Sequence, residues 1–347
     1  MHTHDYFMQQ CLELAGKGLA QVAPNPMVGA VLVYQNQIIG KGYHQQYGQA
    51  HAEVHCLNSV LPEHRNYIPD STLYVSLEPC SHFGKTPPCC HRILEEGIRK
   101  VVIATQDPNP EVHGRGVSLL REQGVEVIEG ICSEQARFLN RRFFTFHEKQ
   151  RPYLVLKWAE SVEGYIGKKG ERIQLSGEET HRTVHRWRSE EQAIWVGYET
   201  ARNDNPQLNV RLAEGKHPLR LVFDRDLSLP SSLHLFQTAQ PTLCFNQVMN
   251  RKEEWVEWIK LEGEHSINEI LRELYRRGIL SVLVEGGRAL LQQLIDQQLW
   301  DEIRCIQTAS HLNEGVAAPV WTRGVHSYTE MSGSDQLIYD FAPGIHP

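Results

Sequence analysis

His51-Ala52-Glu53, then Leu77-Glu78-Pro79-Cys80 and, after eight intervening residues, Cys89 decide how the first half of this chain is read. One histidine and two cysteines fill three of the four positions of a tetrahedral zinc site and leave the last open for water. Zinc lowers the pKa of a bound water to about 7, so hydroxide is available at neutral pH. Glu53, two residues after His51 at a helix start, is placed to take the water's proton and hand it to a departing amino group without binding the metal. That is the equipment of hydrolytic deamination, with His51, Cys80 and Cys89 as ligands of one Zn2+ and Glu53 as the catalytic acid and base. Cys90 is a poor fourth ligand, because neighbours on a helix point about 100° apart. His51 and His55 share a helix face as metalloprotease ligands do, but there the glutamate directly follows the first histidine. A purely structural zinc would want four protein ligands.

The elements around this cluster alternate. Apolar residues at helical spacing over 5–16, with Asp5 as the N-cap, read as a helix. Val28-Gly29-Ala30-Val31-Leu32-Val33 reads as a strand, and Asn36-Gln37 as a hairpin turn into Ile38-Ile39-Gly40. A helix begins near His51, and strands are expected over 72–77, 100–104 and 125–128, with helices over 89–97 and 117–123. Strands separated by helices predict a sheet covered on both faces. The segment 141–151 turns polar and basic and ends at Arg151-Pro152, which places a domain boundary there, with domains over 1–146 and 150–347. The second block restarts as a strand at Tyr153. Further strands are expected over 193–196, 219–223, 242–245 and 282–285, and helices over 178–188, 267–277 and 288–295. The fold class is α/β throughout, and the blocks do not repeat each other.

Composition narrows the function classes. A length of 347 residues suits two domains. The 35 Lys and Arg against 42 Asp and Glu leave a net charge of −7, which gives no support to a general nucleic-acid or membrane-surface binder. No apolar run approaches the ~20 residues that span a bilayer, and the first residues lack the pattern of a signal peptide. A cytoplasmic protein is expected. Three of its eight cysteines fall between Cys80 and Cys90, a clustering that in a reducing compartment points to metal or catalysis.

In one respect the cluster departs from the common deaminase spacing Pro-Cys-x-x-Cys: residues 81–88 separate the two cysteines and bring His82, Lys85 and Thr86 beside the metal, where they would hold a phosphate or a ring. With this insertion the chain resembles the bifunctional riboflavin-biosynthesis deaminase–reductases. The resemblance is carried by Pro24-Asn25-Pro26-Met27-Val28-Gly29, Gly42-Tyr43-His44, His51-Ala52-Glu53-Val54-His55, the run from Leu77 to Cys90, and Gln106-Asp107-Pro108-Asn109-Pro110. It implies a cytidine-deaminase-like α/β/α domain that removes the 2-amino group of a phosphoribosylated diaminopyrimidinone, with substrate contacts from Asn25, His44, His82, Lys85 and Asn109.

The second block, read alone, is only an α/β domain with one anion-binding feature. No Gly-x-Gly-x-x-Gly follows a strand, and Gly114-Arg115-Gly116 in the first block is too short to count. Strand Val282-Leu283-Val284-Glu285 runs into Gly286-Gly287 and a helix, a turn that lets backbone approach a phosphate. The family resemblance continues here through Lys157-Trp158-Ala159-Glu160-Ser161-Val162-Glu163-Gly164, the segment 200–211 and Val284-Glu285-Gly286-Gly287. It implies a dihydrofolate-reductase-like fold and NADPH reduction of the substrate's ribose to ribityl. Trp158, Thr200, Asp204, Gly287, Arg288, Ala289, Leu290 and Leu291 would hold the cofactor. Arg188, Leu208, Arg211 and Glu285 would hold the substrate, the arginines suiting a ribose phosphate through their paired donors. Lys157 would polarise or protonate the ribose oxygen. Arg225, after the strand 219–223, is expected to read a 2′-phosphate, with Asp224 turned inward.

Two departures stand out: the family's acidic position in Ser-x-Asp-Gly is Glu163, and Ile173-Gln174-Leu175-Ser176 lacks the tryptophan the family carries before a Ser or Thr. A deaminase with a weakened reductase domain is therefore one alternative, and a nucleobase or RNA deaminase another. The expected partner is a small phosphoribosylated pyrimidine, with no nucleic acid and no membrane, and the resemblance implies a homo-oligomer.

Overall fold

The computed structural model describes residues 2–81, 87–171, 173–263, 266–324 and 326–346. The chain divides into two compact units, one ending at Lys149 and the other starting at Gln150.

The first unit opens with helix α1 (His4–Gly16), which buries Phe7, Met8, Cys11, Leu12 and Ala15 on one face. The side chain of Thr3, not Asp5, caps it by accepting the Tyr6 N–H. Asp5 falls instead in the first turn, where its charge faces the positive end of the helix dipole. Strands β1 (Gly29–Tyr34) and β2 (Gln37–Tyr43) form the expected hairpin. The turn falls one residue earlier than expected, at Gln35 and Asn36, which both take positive φ and match the twist of the flanking strands. Then follow α2 (Ala52–Asn58), β3 (Thr72–Val75), α3 (Cys89–Glu95), β4 (Lys100–Ile103), α4 (Arg115–Glu122) and β5 (Glu126–Ile128). The sheet order is β2-β1-β3-β4-β5, with β1 antiparallel to both neighbours and β3, β4 and β5 parallel.

Alternate strand residues serve the two faces. Val31, Val33, Tyr74 and Val102 pack with α1, while Ala30, Leu32, Leu73, Val75, Val101 and Ile103 pack with α2, α3 and α4. Gly29 lets α1 lie close against β1, since a Cβ there would stand 2.0 Å from the Cys11 carbonyl oxygen.

The polar, basic segment that leads to the domain boundary is helical. After α5 (Ser133–Leu139), α6 (Arg141–Lys149) buries Phe143, Phe144 and Thr145. Its charges are the outer face of an amphipathic helix, and Glu148 pairs with Arg137 at 2.7 Å.

The second unit is built on one ten-stranded sheet. Its elements are β6 (Tyr153–Glu160), α7 (Glu178–Glu190), β7 (Ala193–Val196), α8 (Tyr198–Asp204), β8 (Leu219–Phe223), α9 (His234–Gln237), β9 (Thr242–Asn246), β10 (Arg251–Lys252) and β11 (Val256–Lys260). The chain continues through α10 (Ser266–Arg276), β12 (Ser281–Val284), α11 (Arg288–Asp296), β13 (Glu302–Gln307), β14 (Ser327–Ser332) and β15 (Asp335–Phe341). The order is β10-β11-β9-β8-β7-β12-β6-β13-β15-β14. The seven strands from β11 to β13 run parallel, and both ends finish with antiparallel partners. Buried on both faces, β7, β8 and β12 read as apolar runs in the sequence. β13 does not, because Glu302 and Arg304 alternate with the core residues Ile303 and Cys305 and are buried against each other with a contact of 2.6 Å.

Candidate active sites

The zinc-type cluster lies where three elements of the first unit meet. His51 is the N-cap residue of α2, Cys89 is the first residue of α3, and Cys80 lies in the segment after β3. His51 Nδ1 stands 3.5 Å from Cys80 Sγ and 3.3 Å from Cys89 Sγ, and the Cys89 backbone N–H donates to Cys80 Sγ at 3.3 Å. The three donor atoms lie within 4.8 Å of one another, the one such group among the described residues. A tetrahedral zinc with bonds of ~2.0 Å to nitrogen and ~2.3 Å to sulfur separates those atoms by about 3.5 Å, so the residues fit the ion. The Cys89 thiol, the His51 ring and the Cys89 N–H lower the Cys80 thiol, while Cys80 and burial raise that of Cys89, so the two sulfurs share one proton that a bound metal would displace. Cys90 points elsewhere, with its sulfur 3.3 Å from the Pro79 carbonyl oxygen.

Glu53 is 3% exposed, and burial pushes its carboxyl above the usual range, against the opposing pull of His51. A carboxyl so poised suits a group that must gain and lose a proton. Asn25 and His44 stand beside the cluster. The His44 Nδ1 lies 3.0 Å from the Ala50 carbonyl and its Nε2 3.1 Å from the Asn25 amide nitrogen. A carbonyl accepts and an amide nitrogen donates, so this ring is neutral, with its proton on Nδ1. Burial holds it below the ordinary histidine range, and its ring lies 5.4 Å from that of His51. His55 does not join the cluster, and its buried Nε2 has no hydrogen-bond partner. Asn109 sits in a turn in which its Oδ1 accepts the Glu111 N–H at 3.1 Å. His82 and Lys85 lie outside the described residues.

In the second unit a cavity of about 1640 Å³ opens at the carboxyl ends of β6, β7, β8 and β12, where ligands of parallel sheets bind. It brings together Trp158, Thr200, Asp204 and Leu208 with the turn residues Gly287, Arg288, Ala289 and Leu290. Gly287 is the N-cap of α11, and a Cβ there would come within 3.0 Å of Thr200 Oγ1. The bare turn thus leaves the first N–H groups of a nine-residue helix free for an anion. Leu291 does not line this cavity, because its side chain is fully buried in the core. Arg225 does not line it either: exposed, it donates Nε to Gln247 Oε1 at 2.9 Å. Asp224 turns inward and accepts the Ser228 and Leu229 N–H groups. The cations that do line the cavity are Lys157, Lys168, Lys169, Arg202 and Arg288.

A second cavity of about 360 Å³ shares Lys157, Gln174, Ser176 and His181 with the first and adds His185, Arg188 and Arg211. Arg188 grips Glu285 with bonds of 2.8 and 2.7 Å. Burial would raise the Glu285 carboxyl, but Arg188 and Lys157 hold it at about 2. Burial lowers Lys157, and Glu285 opposes that fall. His185 is held at about 4 by burial and by Arg188 and Arg211. The two histidines were missed in the sequence, although His181, His185 and Arg188 recur at the spacing of one helix face. Ile173 and Gln174 line both cavities, so the absent tryptophan falls on their shared wall. Glu163 keeps the role of an acidic residue, accepting the Leu312 N–H and the Ser161 hydroxyl at 2.8 Å each.

Residues 1–105 match the cytidine and deoxycytidylate deaminase zinc-binding region, and residues 152–312 match the RibD C-terminal domain. The riboflavin biosynthesis protein RibD of Aquifex aeolicus is 37% identical over 332 residues, 93% of this chain and 91% of that protein. That of Bacillus amyloliquefaciens is 39% identical over 310 residues, 86% of this chain and 82% of its own length. A Thermotoga maritima diaminohydroxyphosphoribosylaminopyrimidine deaminase/5-amino-6-(5-phosphoribosylamino)uracil reductase superposes with a TM-score of 0.87 at 35% identity, covering 97% of this chain and 98% of its own. Acinetobacter baumannii RibD gives 0.86 at 30% identity, with 97% and 98% covered. The two halves therefore have the cytidine-deaminase-like and reductase folds that the resemblance implied, and neither alternative reading is favoured. Among the described residues no helix is long and apolar enough to cross a membrane.

Proposed function

The chain belongs to the RibD family, the bifunctional deaminase–reductases of riboflavin biosynthesis, and on that footing we propose which residues carry its two reactions. The first unit deaminates the 2-amino group of a phosphoribosylated diaminopyrimidinone, with His51, Cys80 and Cys89 holding zinc. Zinc, when bound, supplies an activated water at neutral pH. Glu53 takes a proton from that water and delivers it to the leaving nitrogen, a task its raised carboxyl suits. Asn25, His44 and Asn109 position the ring, and the family resemblance adds His82 and Lys85 as substrate contacts.

The second unit reduces the deaminated product, and NADPH supplies the hydride. The turn 286–290 and Thr200 hold the cofactor in the large cavity, and Asp204 faces it from α8. The small cavity takes the ribose phosphate: Lys157, Arg188 and Arg211 line it, and Glu285, which pairs with Lys157 and Arg188 from the large cavity, leaves a cationic surplus that suits a dianion. Lys157 lies on both walls, so a proton held at its Nζ is within reach of the sugar oxygen at the point where hydride and substrate meet. That shared position is the observation on which the reductase reading rests.

The test is a product assay on the diaminopyrimidine phosphate. Without NADPH the deaminated ribosyl compound should accumulate, and with NADPH the ribityl compound should replace it. Ribityl product from undeaminated substrate, or NADH serving as well as NADPH, would overturn the order or the cofactor proposed.

A further inference from the structure

Gly114-Arg115-Gly116 looks like a fragment of an anion-binding turn, and in the fold it has an anion. The Glu78 carboxylate, 4% exposed, accepts four backbone N–H groups from this segment and its neighbours. Oε2 takes those of Asp107 at 3.2 Å and Gly114 at 2.9 Å, and Oε1 takes those of Gly116 at 2.9 Å and Val117 at 3.1 Å. Three of the four lie at the N-terminus of the eight-residue α4, so Glu78 caps that helix from another part of the chain. The glycines make this possible: Gly114 takes φ +70°, and a Cβ on Gly116 would stand 2.0 Å from the Pro79 carbonyl oxygen.

The other end of the link is the metal segment. Glu78 precedes the ligand Cys80 by two residues, and its N–H is bound by the Thr105 carbonyl at 3.0 Å. The segment it holds carries Asn109, whose own N–H is tied to Asp107 Oδ1 at 2.8 Å and whose carbonyl accepts the Val112 and His113 N–H groups. We propose that Glu78 is a positioning residue of the deaminase, clamping the loop that carries Asn109 at a fixed place relative to the metal ligand Cys80. This rests on the reading of Asn109 as a substrate contact.

The test uses the zinc-loaded full chain with Glu78→Gln. Whichever way its amide turns, the NH2 faces two N–H donors, so the clamp loosens while size is kept. Zinc stays at one per chain, reduction of separately supplied deaminated substrate is unchanged, and the deamination KM rises about 10-fold or more with kcat within about 3-fold. In an Asn109→Ala background the same change should cost less than about 2-fold, because the loop no longer carries its contact. Glu78→Asp, too short to reach all four donors, should behave alike and serves if the glutamine variant does not fold. A wild-type KM in Asn109→Ala alone overturns the reading of Asn109 and this proposal with it. If Asn109→Ala does raise KM, then losses that multiply in the double variant, an unchanged KM in Glu78→Gln, or loss of zinc overturns the assignment of Glu78 alone.

Discussion

Lys157 Nζ stands 3.9 Å from Glu285 Oε2, and both side chains are largely shielded from solvent. The contact follows from strand register, since Leu156 on β6 pairs with Val284 on β12 and the next residues of each strand face one another. It sets the proton affinity of the lysine proposed above as the proton donor of the reduction. Burial lowers Lys157, and the Glu285 charge pulls it back up.

The first prediction is the pH dependence of that pair. If protonated Lys157 gives its proton to the sugar oxygen, the reductase rate falls as pH rises through the Lys157 pKa. Glu285→Gln removes the charge that favours the ammonium, so this alkaline fall should move to lower pH. A pH profile of kcat at saturating NADPH would show it, and a limb left in place or moved upward would contradict the role. Lys157→Met should lower the reductase kcat about 100-fold or more without changing deamination.

Glu53→Gln should retain one zinc per chain, as metal analysis would show, and lose deamination by about 100-fold or more. Stripping the metal with a chelator should abolish deamination in the unaltered chain, and added zinc should restore it. In both cases reduction of supplied deaminated substrate should persist. A metal-free Glu53→Gln protein that is still folded would mean the carboxylate is a ligand.

Cofactor choice should follow the cations on the cavity wall. Arg202→Ala or Arg288→Ala is expected to raise KM for NADPH about 10-fold or more, with much less effect on NADH, for whichever of the two meets the 2′-phosphate. Arg225→Ala, off that wall, should leave both constants near wild type. Steady-state kinetics with each cofactor decides the matter, and an effect confined to Arg225→Ala would restore the expectation drawn from its sequence position.

Arg220 supplies a stability prediction. It lies fully buried on β8 and donates to Thr242 Oγ1, Thr238 Oγ1 and the carbonyls of His234, Leu235 and Gln240. Burial alone pulls its guanidinium down to about 10, because no carboxylate is among these partners. Arg220→Met would remove all of these donors, although the Thr238 and Thr242 hydroxyls still reach the His234 and Leu235 carbonyls, at a cost of about 3 kcal/mol. The second unit should melt about 6–12 °C lower, with deamination intact below that temperature. An unshifted melting curve would show that water or rearrangement replaces every bond.

The zinc-type ligands were legible from residue order, because the chemistry demands particular atoms and His51, Cys80 and Cys89 are among the few residues that supply them. The apolar strands were legible for a similar reason: β7, β8 and β12 are buried on both faces and must be apolar almost throughout. Where a segment's environment depends on distant partners, the local pattern misleads. The stretch 141–151 read only as polar and basic, yet Arg141–Lys149 is a helix whose phenylalanines find a core, and β13 escaped notice because Glu302 and Arg304 pair with each other inside. The same holds for function. Only folding puts Arg188 and Lys157 on Glu285, takes Arg225 off the wall of the large cavity, and turns Gly114 and Gly116 toward a carboxylate some 36 residues earlier. Ligand identity is a property of side-chain chemistry and is written locally. Charge, burial and reach are sums over neighbours that only the folded chain assembles.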